Sequence, residues 1–88
     1  MYFVVIHHMI QKDVTGQMIQ LHVDYLKELY HQGKLIVTGP FLDEKRGGMF
    51  ILEVDHEDEL MDIVNNDPAI KSGWSKSEIR PYKIVFRQ

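Results

Sequence analysis

His22 occupies a position that an amphipathic helix ordinarily fills with leucine. Val14, Met18, His22, Tyr25, Leu26 and Leu29 follow one another at intervals of four, four, three, one and three, the spacing of one helical face. That face turns inward, and it carries the imidazole with it. The ring is then either a proton shuttle at the edge of a pocket or a core histidine bonded to a backbone carbonyl. Asp67 is the natural partner to seek, because a carboxylate that accepts a hydrogen bond from one ring nitrogen fixes the tautomer. It also makes the other nitrogen a better base, the usual equipment for general acid–base chemistry. Asp67-Pro68 reads equally as a helix stop and turn.

Other residues offer themselves around this pair. His7 and His8 alternate along an apolar strand, so one faces the site and the other faces solvent or a subunit seam; His8 is taken as the substrate-facing member. Tyr25, on the His22 face, has a hydroxyl to lend to a ligand. Trp74, between Gly73 and Ser75, either lines a pocket or roofs the core. Gly39-Pro40 is first a backbone device, with Pro40 as a pocket wall. His7 and His8 together with His22 raise the question of a metal, but they lack a tight helical pair such as i, i+4. No metal and no cofactor is therefore expected. His31 and His56 fall at helix ends, where solvent or the backbone occupies them.

The elements that must position these groups can be read in order. Tyr2 to His8 is a strand of aromatic and β-branched residues. Asp13 or Thr15 caps a helix that runs to about His31 and stops at Gly33. Lys34 to Thr38 is a second strand ended by Gly39-Pro40, and Phe41 to Gly48 is a hairpin loop. Met49 to Val54 is a third strand. Asp55 caps a second helix from His56 to about Asn66, which Asp67-Pro68 ends. A loop through Gly73-Trp74 leads into a last strand from about Ser77 to Phe86. The order βαββαβ is the ferredoxin-like arrangement, an α+β fold with a four-stranded antiparallel sheet and two helices on one face. Its first and third strands are central. The two helices run antiparallel, so Asp67, at the end of the second, sits at the edge where the first begins.

Bulk properties narrow the function. A chain of 88 residues with 44% hydrophobic and 26% charged residues favours one domain, 1–88, of ordinary globular composition. The net charge of −3 and the absence of any basic run longer than Lys45-Arg46 argue against nucleic-acid binding. There is no cysteine, hence no disulfide, thiolate metal site or thiol nucleophile. No signal-peptide pattern and no membrane-length apolar run is present, so a cytoplasmic protein is expected. The first and third strands are apolar on both faces: Phe3 and Val5 against Tyr2, Val4 and Ile6, then Phe50 and Leu52 against Met49 and Ile51. Two helices cover one face only, and a second copy of the chain is the simplest cover for the other. A homodimer joined through sheet faces is expected.

The residues also resemble a known family. His22 followed by Tyr25-Leu26, then Gly33-Lys-Leu, Thr38-Gly-Pro, Gly47-Gly48, Asp67-Pro68 with Gly73, and the closing Arg80-Pro-Tyr-Lys-Ile-Val-Phe are similar to the YciI-like, or YCII-related, proteins across nearly the whole chain. The resemblance implies a dimeric α+β barrel and an active site built on a His–Asp pair, here His22 and Asp67. The loop between Gly39-Pro40 and Gly47-Gly48 is shorter than in some members. A related activity is dehydrochlorination of a chlorinated hydroxyhydroquinone, and muconolactone isomerase shares the barrel, so the implied chemistry is a lyase or isomerase acting on a small oxygenated ring. Two alternatives stand beside it: a binding or sensing module with the same pocket, and a cofactor-independent monooxygenase of similar fold.

Overall fold

A computed structural model describes residues 1–88. Strand β1 (Tyr2–Met9) buries Phe3, Val5 and His7 on one face, with Tyr2, Val4 and Ile6 half-buried on the other. Helix α1 (Gly16–His31) begins at Thr15, not Asp13: the Thr15 hydroxyl accepts from the Met18 amide at 3.2 Å. It ends in a glycine cap. The Gly33 amide (φ +77°) donates to the Tyr30 carbonyl and the Lys34 amide to the Leu29 carbonyl, each at 3.0 Å, which satisfies carbonyls the helix leaves open.

Strand β2 (Leu35–Pro40) and strand β3 (Gly48–Glu53) follow, joined by the predicted hairpin. Helix α2 (Glu57–Asn66) then begins at His56 with no side-chain cap bond, so Asp55 does not cap it. Glu57, Asp58 and Glu59 supply the first turn with negative charge instead. A short helix α3 (Pro68–Lys71) occupies what reads in the sequence as loop. Pro68 is at its first position, where a missing N–H costs nothing and a fixed φ helps. Strand β4 (Ser75–Tyr82) starts and stops earlier than the expected Ser77–Phe86.

The sheet order is β2-β3-β1-β4, every pair antiparallel. This is the ferredoxin-like α+β fold, with β1 and β3 central. Phe3, Val5, Phe50 and Leu52 on the inner sheet face meet Leu26 and Leu29 of α1 and Leu60, Ile63 and Val64 of α2 in one core.

The hairpin closes over the end of β1. Gly47 (φ +79°) lies so near that a Cβ there would overlap the His7 carbonyl oxygen. No side chain fits. Gly33 has a similar φ of +77° but open space around it. Gly47→Ala is therefore expected to cost about 3 kcal/mol or more, through clash and φ together, and Gly33→Ala only about 1 kcal/mol through φ alone. Urea unfolding of the two variants measures the difference.

Candidate active site

Asp67 is the hub of the site. Its backbone leaves α2 in extended geometry (φ −61°, ψ 127°), and its carboxylate caps α3 by accepting from the Ala69 amide at 2.9 Å. The same oxygen, Oδ1, lies 2.8 Å from His22 Nδ1. A carboxylate so placed accepts only, so Nδ1 carries the proton and donates it. His22 is then fixed in the tautomer whose Nε2 holds a lone pair. No protein group engages Nε2.

Asp67 is 1% exposed and cannot meet a ligand itself. His22 can, being partly buried at the rim of a cavity of about 800 Å³ between α1 and β2. Its ring is held by two edge-on neighbours: His7, with centroids 4.8 Å apart at 80°, and Trp74, at 5.7 Å and 81°. Ile19, Val23 and Leu26 of α1 and Val37, Thr38 and Pro40 of β2 form much of the wall. That volume is ordinary for a small-molecule site.

His7, not His8, is the strand histidine at this site. Inward alternation continues from Phe3 and Val5 to His7, whose Nδ1 lies 3.0 Å from Ser75 Oγ. Its Nε2 lies 3.6 Å from Asp67 Oδ2, and neither atom has a hydrogen-bond partner. His8 is on the opposite face, 3.6 Å from Glu78 Oε1, away from the cavity, so its substrate-facing assignment is corrected. Tyr25 is likewise corrected. Its hydroxyl donates to the Ile63 carbonyl at 2.7 Å and ties α1 to α2, and it does not line this cavity. Burial, then the Asp67 charge, push its pKa up and keep it a donor. Pro40 and Trp74 are at the wall as expected, Trp74 being also part of the core.

Sequence reasoning missed two contributors, Ser75 and Arg46, while the approach of Gly47-Gly48 to this edge was expected from the topology. Ser75 and Gly47 position His7, from its ring and from its backbone. Arg46 reaches the cavity from the hairpin loop. Strand parity would have selected His7 had only one face of β1 been apolar.

One ring nitrogen each of His7 and His22 and a carboxylate oxygen of Asp67 lie within 4.8 Å of one another, a donor set that divalent cations use. His8 takes no part in this group, which joins two histidines and a carboxylate. A shared cation would have to replace the proton in the 2.8 Å His22–Asp67 bond.

Burial constrains the charge of His7. Burial first, and next the charge of a protonated His22, lower the His7 pKa from 6.5 to about 4, against an opposing pull from Asp67. The unfolded chain therefore binds this proton near pH 6.5 and the folded chain only near pH 4. Stability is full above the upper value and declines as the pH falls between the two, by about 3 kcal/mol in all. Urea unfolding from pH 7 to pH 4 is expected to show this slope, and His7→Gln to flatten it.

A ferredoxin-like protein with a buried-carboxylate histidine at the rim of a ligand-sized cavity is the class these features define. The chain belongs to the YCII-related family, whose domain matches residues 1–83. It is 32% identical over 74 residues to the uncharacterized protein YjpA of Bacillus subtilis (strain 168), covering 84% of this chain and 80% of that one. Among solved structures it is similar to 5-chloro-2-hydroxyhydroquinone dehydrochlorinase (TftG) of Burkholderia phenoliruptrix AC1100, in complex with 2,5-dihydroxybenzoquinone. The TM-score is 0.74 at 24% identity, over 94% of each chain. It is also similar to an antibiotic biosynthesis monooxygenase, with TM-score 0.60 and 14% identity over 97% of this chain and 99% of that one. At these identities the two structures establish the fold.

Proposed function

We propose that the chain is a small-molecule enzyme of the lyase or isomerase type, with His22 as its acid–base residue and Asp67 as the residue that orients it. The observation that carries this reading is the 2.8 Å bond from His22 Nδ1 to Asp67 Oδ1, which leaves a basic Nε2 at the cavity His22 lines. Nε2 takes a proton from a carbon or hydroxyl of the substrate, and the imidazolium so formed is stabilised by the carboxylate behind it. In an isomerisation that proton returns at another atom. In an elimination the C–H electron pair becomes a double bond, and the leaving group departs with its own pair. The dihydroxybenzoquinone complex of the TftG structure supports a small oxygenated ring as the substrate class.

His22→Ala and Asp67→Asn test the roles separately. Asparagine is a good helix cap, so Asp67→Asn retains the start of α3 while removing the acceptor charge. Each variant is expected to lower turnover on a panel of chlorinated and hydroxylated quinols by about two to four orders of magnitude while the fold persists. Near-normal turnover in His22→Ala would overturn the assignment. If the wild-type chain binds panel members yet converts none, the site belongs to a binding or sensing module.

The working unit we propose is a homodimer of 1–88 domains joined through the outer sheet face. Val4, Ile6, Met49 and Ile51 are only half-buried there in a single chain. Light scattering behind size exclusion is expected to report twice the 10.4 kDa chain mass. A single-chain mass at micromolar concentration would exclude it.

A further inference from the structure

We propose that the ligand of this cavity is an organic anion, a ring compound bearing an ionised oxygen group, and that Arg46 is the residue that binds that group. This rests on the cavity assigned above and adds the charge of what enters it. The lining contains no aspartate or glutamate, and its only full cations are Arg46 and Lys27. Neither takes part in any of the ion pairs of the structure, which join His7 and His22 to Asp67, His8 to Glu78, and Lys34 to Glu59. The nearest acidic side chain in sequence with a defined contact, Asp43, accepts from the Lys45 amide at 3.1 Å. A mostly apolar cavity with unpaired positive charge and no accessible negative charge selects an apolar body carrying an anionic group.

The backbone distinguishes Arg46 from Lys27. Arg46 is the only non-glycine residue with positive φ, at +60°. That conformation costs an arginine about 1 kcal/mol that glycine would escape. The next residue, Gly47, packs on the His7 carbonyl. Adjacent Cα atoms are about 3.8 Å apart, so the backbone of Arg46 lies beside His7, at the cavity that His7, His22 and Arg46 line together. Lys27 is five residues beyond His22 on α1, about 7.5 Å further along the helix axis. Arg46 is therefore placed to hold an oxygen anion of the ring whose proton His22 handles, and its planar fork suits a carboxylate or a phenolate. Size agrees with an entire ring compound: a cavity of roughly 150 Å³ accommodates benzene, and this one is about 800 Å³.

The test uses three probes of one shape at mildly alkaline pH: 4-nitrobenzoate, 4-nitrophenolate and neutral 4-nitrobenzyl alcohol, with affinities from NMR or calorimetry. One or both anions are expected to bind the wild-type chain about tenfold or more tighter than the alcohol, the size of one charge-assisted hydrogen bond. Which anion does so distinguishes a carboxylate ligand from a phenolate. Arg46→Gln is expected to abolish the preference without changing affinity for the alcohol. Arg46→Gly, which relieves the φ constraint, is expected to abolish it too, Arg46→Lys to retain part of it, and Lys27→Gln to leave it intact. Equal binding of all three probes by the wild-type chain, or an undiminished preference in Arg46→Gln, overturns the proposal. His22→Ala separates it from the catalytic reading: anion preference that persists there, with turnover lost, supports both. A preference in a wild-type chain without turnover supports this inference and refutes the enzymatic one.

Discussion

The bond between His22 and Asp67 ties α1 to the junction of α2 and α3 across 45 residues of sequence, and the remainder of the site depends on it. Burying a carboxylate costs several kcal/mol unless charge-assisted hydrogen bonds compensate. Asp67 obtains two on one oxygen, from the Ala69 amide and from His22. Its roles are thus inseparable: it ends α2, starts α3 and orients an imidazole. Asp67-Pro68 is a punctuation signal in the sequence, and in the structure that punctuation places the carboxylate that holds His22. Ala69, fully buried, permits the close turn that brings the amide to the oxygen.

The second carboxylate oxygen explains why two histidines so close together need not compete. His7 Nε2 stands 3.6 Å from Asp67 Oδ2, slightly beyond hydrogen-bond range. His7 packs on Phe50 with centroids 4.9 Å apart and is itself buried. Burial and the neighbouring imidazole hold its pKa down to about 4, so it is neutral near pH 7. His7 is a wall and a packing neighbour of His22, the residue to which the proposed function assigns the proton chemistry.

Much of this was legible in the sequence, for identifiable reasons. Period-two and period-3.6 patterns are local, so the strands, the two long helices and their order emerged, and topology then brought Asp67 beside α1. The parity of β1 was not legible. With Phe3 and Val5 on one face and Val4 and Ile6 on the other, hydrophobicity does not say whether His7 or His8 turns inward. Tyr25 shares the His22 stripe, but three residues on it meets α2 rather than the cavity, a distinction that needs the helix pair in place. Helix α3 was hidden because Pro68 reads as a breaker, although proline is favourable at a first helical position. Arg46 and Gly47 lie in a loop whose conformation is set by the approach of Gly47 to His7, forty residues earlier in the chain.

The edges of the sheet bear on which surface a second copy would meet. Strand β2 is one edge, with a register shift between Leu35 and Val37 and Pro40 at its end. An irregular edge and a residue without an amide hydrogen both discourage an added strand. Strand β4 is the other edge, with Pro81 within it and Lys76, Glu78 and Arg80 directed to the outer face beside His8, Ile6 and Val4. Neither edge is a template for pairing. The apolar centre of the outer face, bordered by those β4 charges, has the layout of an interface core and rim. Helices α1 and α2 cover the inner face through Leu26, Leu29, Leu60, Ile63 and Val64, so contact through the outer face leaves that core intact. Met49 belongs to the outer face and also lines the cavity, so the margin of the cavity at the β2–β3 end would lie close to such a seam.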